Sequence, residues 1–404
     1  MAFVPVGRYL LLILRDRLRF GCRVGGQTLQ ARLRCVMFKS ATGEAVMQAD
    51  SKFGADQSAT VLPVPGGPNP LVIDTKSPGE AMQVLLAVDQ AIGAELLEAE
   101  QILADELRSE NPYVSDILQH STRFRGKRLR PMLLLLTAKA CGGIKHDHKV
   151  LAAVVEMIHL ATLVHDDVLD EAETRRHVAT VNARWNNETS VLFGDYLFTH
   201  SFHLASSLPT TYGCRCIGRS TNIVCEGELS QIKERGNLDL TEQTYFKIID
   251  GKTAELTALC GHLGAFFACA DEKTTAAMEQ YGRSLGLAFQ IADDVLDLMG
   301  NEKKTGKTLG SDLDKQKLTL PLIRLLATAS EPDATEIRRL LAQPDDSTRE
   351  RLTPYFERSD AFEYTSRCAQ SLAQEARRQL DGLPNSTAKR ILADIADFAV
   401  QRTF

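Results

Sequence analysis

Three observations predict an all-α fold for this chain. Apolar residues recur at three- and four-residue spacing through 80–110, 150–170, 281–299 and 388–400, the period of one buried face of a helix. Strand signals are nearly absent from residue 78 onward, and no repeat of roughly 20 to 50 residues marks a solenoid. The expectation is an antiparallel helical bundle.

The amino-terminal stretch differs in character. Residues 1–40 carry arginines at 8, 15, 17, 19, 23, 32 and 34 and Lys39 against one acid, Asp16. That is a local surplus of seven positive charges, which leaves twelve negative ones in the remainder of a chain whose net charge is −5. Such a stretch reads as an organelle transit peptide, a misassigned start or a disordered basic tail. Residues 61–72, VLPVPGGPNPLV, hold four prolines and two glycines, the composition of a linker. Residues 1–77 are therefore expected to form an extension and linker outside the core, and 78–404 a single catalytic domain.

Composition excludes several classes. A net charge of −5 and a pI near 6.0 give no global basic field for nucleic acid. Uninterrupted apolar runs such as 10–14 and 132–136 fall far short of the roughly 18 to 20 residues that span a bilayer. Nine cysteines without paired metal-ligand spacing point to reduced thiols in a cytoplasm-like compartment, with an organelle as the alternative if the extension is a transit peptide.

The pentapeptide Asp-Asp-Val-Leu-Asp occurs at 166–170 and again at 293–297, each time late in an apolar helical run. Helical geometry places the first and last aspartates of each copy one turn apart on the same face. Like charges at that spacing repel, so a cation is expected between them. Mg²⁺ suits two carboxylates plus the phosphate oxygens of a substrate. One copy alone reads equally well as a solvated acidic helix end; two copies favour a pair of metal-binding faces with a diphosphate between them.

Cationic partners for such an anion are present. FRGKRLRP at 124–131 is a compact basic cluster, Arg175 and Arg176 follow the first aspartate cluster, Lys252 precedes Thr253, and Lys307 and Lys317 flank Asp312. Arginine supplies a planar fork for phosphate oxygens and lysine a point charge. Each alone is more often a solvated face. His159 lies seven residues before Asp166, two turns back on the same face, as a phosphate donor or a satisfied core histidine.

These residues together resemble the trans-type polyprenyl diphosphate synthases. The similarity runs from about residue 83 to 321 through GKRLRP (126–131), HLATLVHDDVLDEAETRR (159–176), GKT (251–253), FQIADDVLDL (289–298) and GKTLGSDLDKQKLTLP (306–321). The resemblance implies an all-α isoprenoid synthase-type bundle around a central cavity, usually a homodimer, that condenses isopentenyl diphosphate head-to-tail onto an allylic diphosphate primer. It implies Mg²⁺, more than one ion per site, on Asp166, Asp170 and Asp293, with support from Asp167, Asp294 and Asp297. Arg175, Lys252, Lys307 and Lys317 would hold the allylic diphosphate. Gly126, Lys127, Arg130, His159 and Arg176 would hold that of isopentenyl diphosphate. Thr253 and Gln290 would present oxygen dipoles to the allylic cation, and the released diphosphate would take the proton.

The sequence departs from the family pattern at three places: Arg125, His177 and Gln316 each stand where glycine is common. The alternatives are a class I terpene cyclase, disfavoured by the second DDVLD; a non-catalytic partner subunit, which would lose the aspartates; and an HD-type phosphohydrolase, which leaves the second cluster unexplained.

In the resembling enzymes an aromatic residue four or five positions before the first aspartate goes with short products. Here those positions are Thr162 and Ala161, with Ile158, Met157 and Val154 further upstream, and none is aromatic. A long-chain product of roughly six to ten isoprene units is expected, octaprenyl-like and a quinone side-chain precursor, since each helical turn adds about 5.4 Å of channel. Such an apolar product suggests peripheral contact with a membrane on release.

Overall fold

A computed structural model describes residues 78–124, 126, 128–299, 310–345 and 347–401, together with four short strands between residues 23 and 47. The chain divides into two units, Met1–Pro70 and Leu71–Phe404. In the first, β1 (Arg23–Val24) pairs antiparallel with β2 (Gln27–Thr28), and β3 (Met37–Lys39) with β4 (Ala45–Met47). Residue patterning did not anticipate these ladders.

The second unit is helical. Its order is α1 (Pro78–Glu106), α2 (Pro112–Ser121), α3 (Leu129–Cys141), α4 (His146–Leu169), the hairpin β5 (Thr174–Arg175) and β6 (Val178–Ala179), α5 (Val181–Arg184), α6 (Asn187–Ser206), α7 (Tyr212–Lys233) and α8 (Glu242–Ile249). There follow α9 (Glu255–Phe267), α10 (Glu272–Met299), α11 (Ser311–Asp314), α12 (Leu320–Thr328), α13 (Glu331–Ala342), α14 (Thr348–Glu357), α15 (Ala361–Gln379) and α16 (Thr387–Val400). A π-helical turn, Asp250–Ala254, joins α8 to α9.

Local chemistry starts several helices. Asn111 accepts from the backbone N–H of Tyr113 at 3.0 Å ahead of Pro112, and Asn186 accepts from Thr189 at 2.7 Å. Each satisfies an N–H that the helix itself leaves unpaired. Proline at the first helical position has no such N–H to satisfy.

Packing then orders the helices around two cores. The first draws on α1, α3, α4, α6, α9, α10 and α16, and in it Leu133, Leu134, Leu135 and Leu136 are 1 % exposed or less. The second draws on α8, α12, α13, α14 and α15, with Ile291 and Leu298 from α10. Helix α10 thus runs through both. Among the described residues no helix is long and apolar enough to cross a membrane.

Both aspartate clusters fall where a helix leaves its core. Asp166 and Asp167 lie in the last turn of α4, with Asp170 as its C-cap; Asp293, Asp294 and Asp297 lie in the last two turns of α10. Carboxylates there face the negative end of the helix dipole, so both clusters require nearby cations or donors.

Candidate active site

Those partners come chiefly from the π turn and from the segment around α11. Lys252, in the π turn, places Nζ 3.8 Å from Oδ1 of Asp166 and forms a closer ion pair with Glu228 of α7. Its neighbour Thr253 donates from Oγ1 to Oε1 of Gln290 on α10 at 2.9 Å. Two consecutive residues therefore reach the two helices that carry the aspartate clusters. The approach depends on Gly227: a Cβ there would lie 2.5 Å from the backbone nitrogen of Lys252, so any larger residue would push the turn off α7.

From Gln290 the network continues inward. Its Nε2 donates to Oδ1 of Asp294 at 2.8 Å, and the Tyr245 hydroxyl of α8 donates to Oδ2 of the same carboxyl at 2.6 Å. Both oxygens of Asp294 are thus engaged inside the protein. Burial, with Asp312 adding to it, pushes the Asp294 carboxyl well above the usual range. Asp294 supports the site from behind; Asp293, its neighbour, remains the candidate ligand on α10.

Asp170 is the most heavily compensated carboxylate. Lys317 approaches its oxygens at 3.1 and 3.2 Å, Lys315 at 3.4 Å and Arg235 at 3.2 Å. Burial works to raise its pKa, but Lys317 and Lys315 outweigh it and hold the carboxyl below its ordinary value. Asp166 behaves oppositely: burial, with Glu228 and Asp170 nearby, raises it against the pull of Lys252.

The segment that carries Lys317 is itself tied to the second cluster. Asp297 accepts from Ser311 Oγ at 3.2 Å and from the backbone N–H of Asp312 at 3.1 Å, and the Lys317 N–H donates to the Asp312 carbonyl at 2.8 Å. Asp297 therefore anchors the turn whose lysine holds Asp170. Burial, with Asp297 adding to it, pushes Asp312 up to about 6.

Asp167 turns away from the other two acids of its cluster. It is 1 % exposed and pairs with Arg175 at 2.8–2.9 Å, while its Oδ2 has no hydrogen-bond partner. Arg175, expected to face a substrate diphosphate, is engaged here by this carboxylate.

The other expected anion site also assembles. Arg176 donates to the Phe124 carbonyl, and a Cβ on Gly126 would come within 2.9 Å of its guanidinium, so only glycine leaves that guanidinium in place. Arg130 exposes little of itself, and its buried Nε has no partner among the described residues. Burial lowers the His159 pKa well below its ordinary value, and Arg130, Arg176 and Arg175 act in the same direction. The imidazole is neutral and sits in a field of arginines that an anion would complete. Lys127, Arg125 and Lys307 lie outside the described residues.

Two of the departures from the family pattern now have a physical meaning. His177 (φ 63°) and Gln316 (φ 52°) both adopt the left-handed conformation that glycine takes without penalty. Arg176 (φ 52°) and His177 form the two-residue loop of the β5–β6 hairpin, where positive φ at both positions matches the strand twist.

The chain-length positions lie on α4. Val154, Met157, Ile158 and Ala161 are fully buried, and Thr162 donates to the His159 carbonyl at 2.8 Å.

Sequence reasoning did not identify Glu228, Tyr245, Arg235 or Lys315. Glu228 and Tyr245 come from helices remote in sequence and Arg235 from the turn that follows α7, and none of them carries a motif. The spacing of Lys315 and Lys317 within DKQK was the one local signal.

The donor set fits a hard divalent cation: carboxylate oxygens one turn apart, with lysines close by. Among the described residues no three His, Cys, Asp or Glu side chains converge into a site that would hold a metal unaided. Substrate phosphate oxygens would complete the coordination, as Mg²⁺ commonly requires.

Comparison with known proteins agrees with this geometry. The family model described as Polyprenyl synthetase matches residues 111–357. Octaprenyl diphosphate synthase of Escherichia coli (strain K12) is 34% identical over 327 residues, covering 80% of this chain and 98% of that protein. A decaprenyl diphosphate synthase from Rhodobacter capsulatus superposes with a TM-score of 0.75 at 35% identity, covering 78% of this chain and 98% of the other. A polyprenyl synthase from Caulobacter crescentus CB15, complexed with calcium and isoprenyl diphosphate, gives a TM-score of 0.75 at 32% identity, over 79% of this chain and 98% of the other. With its all-α fold and both aspartate clusters in place, the chain belongs to the polyprenyl synthetase family of prenyltransferases.

Proposed function

We propose that this enzyme builds a long-chain all-trans polyprenyl diphosphate by repeated head-to-tail addition of isopentenyl diphosphate to an allylic diphosphate. The observation that carries the reading is the reach of adjacent Lys252 and Thr253 to Asp166 and to Gln290, which joins the two acidic helix ends through one turn. In this reading Asp166, Asp170 and Asp293 hold Mg²⁺, which neutralises charge on the departing diphosphate. Lys252, Lys317, Lys307 and Arg175 bind the allylic diphosphate. Gly126, Lys127, Arg130, His159 and Arg176 receive isopentenyl diphosphate.

The network gives Thr253 and Gln290 a defined part. Because Gln290 Nε2 is committed to Asp294, its Oε1 faces Thr253. The oxygen lone pairs of both side chains form a preorganised dipole for the allylic cation.

The product is octaprenyl-like, of roughly six to ten units by the turn-by-turn length of a channel along α4, and serves as a quinone side-chain precursor. The absence of an aromatic side chain at Ala161 and Thr162 supports this length, as does the octaprenyl relative. The enzyme works as a cytoplasmic homodimer that meets a membrane surface on product release.

The test is incubation with labelled isopentenyl diphosphate, Mg²⁺ and farnesyl or geranylgeranyl diphosphate, followed by chain-length analysis. A ladder ending at one long polyprenyl alcohol is expected. Asp166→Ala and Asp293→Ala should each lower the condensation rate by at least ~100-fold, in line with the loss of charge stabilisation at a reacting centre; variants within a few-fold of wild type would overturn the two-sided metal model.

A further inference from the structure

At the end of α4 remote from the aspartates, the Lys145 ammonium donates to Sγ of Cys269 at 3.0 Å. Both residues are exposed. Lys145 immediately precedes α4, and Cys269 lies in the turn after α9.

The amine is held on the sulfur by further contacts. Its Nζ also donates to the Phe267 carbonyl at 2.9 Å. The Lys145 backbone N–H donates to Nδ1 of His148 at 2.9 Å, which leaves Nε2 of that ring to donate to the Gly264 carbonyl at 3.2 Å. None of these contacts belongs to the active site.

Several other thiols are poorly suited to oxidation, because peroxides react with the thiolate. Burial pushes Cys141 up to about 11 and Cys260 up to about 12, and raises Cys225 and Cys368. Cys269 combines exposure with an adjacent cation, the setting in which cysteine is most readily oxidised.

We propose that Lys145 and Cys269 form a modification site, a reversible sulfenamide bridge made when a hydroperoxide oxidises the thiol. The sulfur attacks one peroxide oxygen, the O–O bond breaks, and water leaves to give the sulfenic acid. The Lys145 ammonium gives one proton to solvent and the resulting amine attacks that sulfur; the N–S bond forms, the S–O bond breaks, and the departing hydroxide takes a proton from the nitrogen and leaves as a second water. Overall, thiol, amine and hydrogen peroxide yield sulfenamide and two waters, with sulfur losing the two electrons that peroxide gains. A dithiol returns both side chains. The bridge fastens the start of the helix that ends in Asp166 and Asp170 to the end of the helix that follows Lys252 and Thr253.

The experiment treats the full chain with equimolar hydrogen peroxide near pH 8, blocks free thiols, digests without reductant and identifies joined peptides by mass spectrometry. The expected main cross-link joins Lys145 to Cys269 with two hydrogens fewer than the separate peptides, disappears with dithiothreitol, and is absent from Lys145→Arg and from Cys269→Ser. Circular dichroism of both variants checks that they fold. Sulfenic or sulfinic Cys269 beside an unmodified Lys145, a bridge with an added oxygen, or preferential oxidation of another cysteine would each overturn the proposal.

Discussion

Tyr245 donates a 2.6 Å hydrogen bond to Asp294 inside the protein, 49 residues away along the chain. The bond fixes one oxygen of a buried carboxyl whose other oxygen orients Gln290. Tyr245→Phe removes only the hydroxyl. Outer-shell losses of this kind typically reduce activity ~10–100-fold. The expected result is a fall in kcat of that order with little change in KM for either diphosphate, measured by steady-state kinetics on protein whose circular dichroism matches wild type.

Ala161 is fully buried on α4, so a larger side chain must displace its neighbours. Ala161→Phe is expected to shorten the product by several isoprene units. It should also destabilise the fold by about 1–3 kcal/mol through overpacking. Radiochromatography of the dephosphorylated products and thermal melting measure the two effects; an unchanged product length would remove α4 from chain-length control.

His177 is exposed and left-handed. For an L-residue that conformation costs about 1–2 kcal/mol, so His177→Gly is expected to stabilise the protein by roughly 1 kcal/mol after the entropy of glycine is subtracted. Gln316→Gly should gain less, because the Gln316 side chain also donates to the Ala342 carbonyl at 3.2 Å. Urea titration of the two variants orders them.

His262 supplies a pH signature away from the site. Hydrogen bonding to Cys216 and then to Glu279 raises its pKa from 6.5 to about 9, against the effect of burial. Tyr212 also meets Nε2 at 2.8 Å, and Arg283 and Arg219 lie near Glu279. A folded-state pKa above the unfolded value means stabilisation that is full below pH 6.5 and lost as pH rises through about 9. Melting curves from pH 6 to 10 should show this loss in wild type and a flatter profile in His262→Gln.

Much of the site could be read in the sequence because its chemistry is repeated and local. The two DDVLD copies have an i, i+4 geometry that any helix imposes, and Lys252, Thr253 and Gln290 lie in short motifs. Glu228 and Tyr245 could not be read this way, since they reach the site only through the packing of α7 and α8. The engagement of Arg175 by Asp167 is likewise tertiary, set by a hairpin whose two-residue loop holds the chain at positive φ. The helical class followed from apolar spacing, but the division into two cores did not, because α10 gives Met278, Tyr281 and Leu285 to one core and Ile291 and Leu298 to the other, and spacing alone does not reveal a shared helix.

The π turn at Asp250–Ala254 has a mechanical consequence. Upstream of it Tyr245, Ile248 and Ile249 pack into the second core; downstream Leu256, Leu259, Cys260 and Leu263 pack into the first. One continuous rod therefore changes its packing partners at that turn. A regular helix advances about 100° per residue, and the extra residue of the wider turn introduces a phase slip between the two halves. Lys252 and Thr253 sit at that slip, so their placement is set jointly by the packing of both cores.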